Sequence, residues 1–70
     1  NIAKSTLDYI KESVRNKNIS GNYNDTETIN DYEIRKIVEE DEYYYKCYKI
    51  VIEVKKKEQI RRLESYVLQQ

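Results

Sequence analysis

Apolar residues return at helical intervals along the first sixteen positions. Ala3, Leu7, Ile10 and Val14 are spaced by four, three and four, which draws one apolar stripe down an α-helix over residues 2–16. Lys4, Asp8, Lys11, Glu12 and Arg15 fall on the wet side. Lys4–Asp8, Asp8–Lys11 and Glu12–Arg15 stand there at separations that support a helix. Nothing ahead of Leu7 reads as a firm N-cap, so the helix is expected to be the lower half of a longer one.

The helical period then stops. Residues 17–30 collect Asn, Ser, Asp and the single glycine, Gly21, and are expected to form a loop. From residue 31 the period becomes two. Tyr32, Ile34 and Val38 lie on one side, with Lys36 breaking the row, and Asp31, Glu33, Arg35 and Glu39 lie opposite, as in a half-buried strand. Glu40, Asp41 and Glu42 follow as an acidic turn. In the next run, residues 43–54, nine of twelve residues are aromatic, β-branched or Cys, the strongest strand signal in the chain. Tyr44, Tyr48, Ile50, Ile52 and Val54 are expected to face the core there, and Tyr43, Tyr45, Lys49 and Glu53 to face out.

Residues 55–68 fit both periods. Ile60, Leu63 and Val67 make a helical stripe, while Leu63, Ser65 and Val67 also alternate against Arg62, Glu64 and Tyr66. The expected fold is therefore one α+β domain over residues 1–70, with the helix at 1–16 packed on an antiparallel sheet drawn from 31–70. An extended tail makes that sheet a three-stranded meander. A helical tail makes the order α-β-β-α.

Length changes what this pattern can achieve. A chain of 70 residues buries only about 60% of its unfolded surface, and domains of this size often lean on disulfides, metals or partner subunits. Cys47 is the lone cysteine and there is no histidine, so an intrachain disulfide and the usual zinc sites are out of reach. Association is the support that remains. Thirteen Lys and Arg balance thirteen Asp and Glu, which counts against a general polyanion binder.

No catalytic constellation is legible. There is no histidine base, Cys47 lies in a strand run without a partner to activate it, and carboxylate pairs follow from composition alone. The acids at 39–42, and Asn22, Asn24, Asp25 and Glu27, lack the spacing of a calcium loop and read as solvated turns. No enzyme activity, cofactor or metal is expected.

Three stretches resemble the minor pilins and minor pseudopilins of type IV pili and type II secretion. Asn1 to Glu12 (NIAKSTLDYIKE) resembles the exit of the N-terminal pilin helix into its soluble half. Tyr48 to Val54 (YKIVIEV) resembles the family's central strand, and Leu63 to Leu68 (LESYVL) its closing strand. The resemblance implies a non-catalytic structural subunit of the cell envelope or an extracellular filament, held by other pilin or pseudopilin subunits. It also implies a membrane-spanning segment of about twenty apolar residues upstream of Asn1. The chain lacks the cysteine pair of many major pilins, which points to a minor component.

Two sets of residues carry the candidate surfaces. A subunit interface is expected at Ala3, Leu7, Ile10 and Val14, the most N-terminal of which would meet neighbouring helices, and at Tyr43 and Tyr45, whose rings supply rigid amphipathic contact area. The alternative is phosphate contact by Lys55, Lys56, Lys57, Arg61 and Arg62. A helix opening with lysines after a hairpin resembles the last helix of double-stranded RNA-binding domains. Two strands, one glycine and zero net charge depart from that pattern. A dimerising αββα scaffold is the third reading.

Overall fold

The structure, a computed structural model, describes residues 1–69; position 70, the end of the expected sheet region, lies outside them. Helix α1 (Ile2–Arg15) leads into strands β1 (Tyr23–Ile29), β2 (Tyr32–Glu40), β3 (Cys47–Lys56) and β4 (Gln59–Leu68). The strands pair antiparallel with their chain neighbours in the order β1-β2-β3-β4, and α1 lies over β3 and β4. The class is α+β as expected, but the meander has four strands rather than three. The αββα alternative is overturned, because residues 59–68 are extended.

The helix is closed at both ends. Asn1 is its N-cap, its Oδ1 accepting from the Lys4 amide at 2.8 Å, which corrects the expectation that no firm cap precedes Leu7. At the other end the Lys17 and Asn18 amides donate back to the Val14 and Ser13 carbonyls at 3.1 and 2.9 Å. That is a Schellman ending with Lys17 in the left-handed position, at φ 64°. Ala3, Leu7, Ile10 and Val14 turn together onto the sheet and are all buried. Two of the expected wet-side pairs form, Lys4–Asp8 at 2.8 Å and Glu12–Arg15 at 3.1 Å.

Register fixes what each face of the sheet carries. Tyr23, Val38, Ile50 and Ser65 share one row, and Asp25, Lys36, Ile52 and Leu63 the next, both on the face that α1 covers. Ile34, Val38, Tyr48, Ile50, Ile52, Val54 and Val67 fill the space under the helix. The opposite face is open, yet Val51 is buried there at the centre of the sheet, between Ile37 and Glu64 on the neighbouring strands.

Two expectations about the strands need correction. The stretch 17–30 is a loop only as far as Asn22, and Tyr23–Ile29 is strand β1. Its polar residues suit an edge strand, and Ile29 and Tyr32 close a two-residue hairpin around Asn30 and Asp31, with Asn30 at φ 55°. The third strand starts at Cys47 instead of residue 43. Asp41 Oδ1 accepts from the Tyr43 and Tyr44 amides at 2.8 and 3.1 Å, and this side-chain turn holds residues 41–46 out of the sheet despite their β propensity. Tyr44, expected in the core, is consequently exposed.

Candidate functional site

Of the six residues expected at a subunit interface, four are spent inside the domain. Ala3, Leu7, Ile10 and Val14 belong to its own core, so none of them is open to a neighbouring helix. Tyr43 and Tyr45 are accessible, at 86% and 87% exposure, with Tyr44 between them at 69%. They project from the β2–β3 turn rather than from a strand face. Lys46, at φ 59°, ends that turn, and its Nζ stands 5.5 Å from the Tyr45 ring centroid. The Gln69 amide donates to the Lys46 carbonyl at 2.8 Å, so the turn sits at the end of the sheet where β4 finishes.

The five basic residues do not form one patch. Strand register sends Lys55 and Arg62 to the open face and Lys56 and Arg61 to the helix side, with Lys57 in the two-residue hairpin turn between β3 and β4. Lys56 Nζ lies 4.9 Å over the Tyr32 ring. Arg62 is engaged by Glu53 at 3.4 Å and Glu64 at 3.0 Å. A helix that offers lysines in a row, as in the resemblance to RNA-binding domains, is absent from residues 55–68.

Charge on the open face is arranged as a ladder across three strands. Arg35 stands 3.9 Å from Glu53, Glu53 pairs with Arg62, Arg62 with Glu64, and Glu64 stands 3.8 Å from Lys49. Opposite signs alternate from β2 to β4, which favours this register, and because the arginines and Glu64 keep about half their exposure each pair adds little to the stability of the fold. On the helix side Lys36 is the residue that breaks the apolar row. Its ammonium donates to Glu27 at 2.7 Å and lies 3.5 Å from Asp25, with only 15% of its side chain exposed. The Glu27 hydrogen bond holds its pKa above the ordinary lysine value. Lys36 is thus the charge that lets acidic β1 join the sheet.

Beyond these pairs the chemistry is sparse. Two open clefts flank the start of α1, one floored by Tyr32, Val54, Lys56 and Arg61, the other by Ile29, Ile34, Glu27 and Lys36. No group of three potential metal-ligating residues occurs among the described residues. Cys47 is a free, half-buried thiol on the open face, opposite Leu68.

No family model, no curated protein and no solved structure matches the chain. Its surfaces must speak for it.

The surface that sequence reasoning missed is the outer edge of β4. Ile60, Tyr66 and Leu68 are exposed at 65%, 57% and 66%, and register sets all three on the open face. Their alternation with Arg61, Leu63, Ser65 and Val67 was visible, but a tail that fits two periods hides which residues an edge leaves uncovered. The tyrosine turn, Tyr66 and Leu68 together make one end of the sheet rich in exposed aromatic and aliphatic area.

Proposed function

We propose that the chain is a non-catalytic structural subunit, the globular part of a minor pilin- or pseudopilin-like protein that is built into a pilus or a secretion filament of the cell envelope. One observation carries this reading: residues 59–68 run as β4 and close the sheet, as the resemblance implies, where the RNA-binding and αββα readings need a helix. The run Tyr48–Val54 lies in β3, which is paired on both sides, the place the resemblance gives it. With the helix stripe consumed under the sheet, contact with other subunits falls to the tyrosine turn. Aromatic side chains of this kind supply large contact area at low entropic cost.

Among the described residues no helix is long and apolar enough to cross a membrane. The test therefore lies in the reading frame upstream of Asn1. An apolar stretch of about twenty residues behind a short basic leader supports the subunit reading. A soluble domain joined directly to Asn1 overturns it.

A further inference from the structure

The sheet has two edges, and they differ in chemistry. β1 is the shorter, and Asp25 and Glu27 flank its midpoint at Thr26. Antiparallel pairing of two β1 strands about Thr26 would set Asp25 of one copy against the partner's Glu27, and like charges directly opposed destabilise a pair. β4 is ten residues long and unpaired on its outer side, where alternate backbone N–H and C=O groups point into solvent.

We infer that two copies of the chain pair edge to edge through β4, antiparallel about a two-fold axis at Leu63. In that register Leu63 faces its own counterpart, Arg62 faces the partner's Glu64, Ile60 faces the partner's Tyr66 and Arg61 faces the partner's Ser65. Every contact but the central one occurs twice, as an isologous interface requires. Moving the axis one residue in either direction sets Arg62 against itself or Glu64 against itself, so charge selects the register. Arg62 and Glu64 already touch at 3.0 Å within the strand, and Glu53 and Lys49 stand behind them. The two-fold joins these into one cluster of alternating sign across the seam.

Pairing covers exposed Ile60 and Tyr66 and satisfies the open edge. It produces an eight-stranded antiparallel sheet with both helices on one face, since directly opposed residues point to the same side. The edges left outermost are the β1 strands, where Asp25 and Glu27 outnumber the one Lys36 that pairs with both, so each edge keeps a net negative charge. The assembly closes as a dimer and does not grow into a fibre.

This inference goes beyond the proposed function and does not depend on it. Sedimentation equilibrium of the 70-residue chain reads it directly. The mass should rise from 8.5 kDa toward twice that value, about 17 kDa, as concentration increases to about 1 mM. Arg62→Glu and Glu64→Arg should each remain monomeric with unchanged circular dichroism. Their equimolar mixture should dimerise, because the two acids of one chain then face the two bases of the other.

A second measurement covers the case in which a charge variant fails to fold. Leu63→Cys in a Cys47→Ser background should oxidise to a covalent dimer, and Thr26→Cys on β1 should not, because opposed residues bring their Cβ atoms within about 5 Å. A wild-type chain that stays monomeric, a charge variant that still dimerises, a mixture that does not, or no cross-link at Leu63 each overturns the pairing. A monomer leaves the subunit reading intact, since that reading is decided upstream of Asn1.

Discussion

Lys36 shows how one residue can carry an edge of the fold. It occupies a core-facing position of β2, between Asp25 on β1 and Ile52 on β3, and reaches the acids of β1 instead of water. Replacing it with methionine leaves Asp25 and Glu27 without their counter-charge and should cost about 1 kcal/mol, since both carboxylates keep part of their hydration. Urea unfolding at neutral pH measures this. Because the folded-state pKa of Lys36 lies above the ordinary 10.5, the stabilisation is fully present below about pH 10.5 and is lost as pH rises through the folded value. The difference between wild type and Lys36→Met should therefore shrink in strongly alkaline buffer.

At the scale of elements, the turns hold the unusual backbone. Lys17, Asn30, Lys46 and Lys57 all have positive φ, and three of these four are lysine, a residue with no intrinsic liking for that region. Lys17 is the clearest case. Its position in the Schellman ending of α1 is one that glycine fills most readily, and its side chain is exposed. Lys17→Gly should raise stability by about 1 kcal/mol, less the extra chain entropy of the unfolded state. A higher thermal midpoint with an unchanged spectrum checks it. The next residues gain from the same ending, for it lets Ile19 fold back against the core while Gln69 Nε2 donates to the Val14 carbonyl at 3.0 Å. The start of the loop and the end of β4 are tied to the helix C-terminus by that one side chain.

At the scale of the whole molecule, the domain is elongated, 37 × 20 × 17 Å, and Tyr43, Tyr44 and Tyr45 stand exposed together on the β2–β3 turn. Those tyrosines contribute little to the fold. Replacing Tyr43, Tyr44 and Tyr45 together by serine should change unfolding free energy by less than about 0.5 kcal/mol per position. On the proposed function the same variant should fail to enter the assembled filament, measured as its share of the pelleted fraction in cells that make the complete protein. A variant that is stable and still incorporated would remove the tyrosine turn from the interface.

Helix α1 and the cores of β2 and β3 were legible in the order of residues because each buries one face, and burial on one face imposes a period. Tyr32, Ile34 and Val38 alternate for that reason, as do Tyr48 to Val54. β1 was not legible, since an edge strand with one covered face and a polar composition leaves almost no apolar period: only Tyr23 and Asp25 of its seven residues are even half-buried. Asn30 and Asp31 between Ile29 and Tyr32 were the available hairpin signal. The tail carried two periods at once, and pairing with β3 chose the extended one. Tyr43 to Tyr45 have strand propensity, but the Asp41 side chain caps the turn first, and a local hydrogen bond outweighs a propensity of a few tenths of a kcal/mol per residue. The sequence by itself determined which residues seek the core. That the helix stripe is consumed there, leaving the tyrosine turn and the β4 edge exposed, followed only from the packing, because coverage depends on which elements meet.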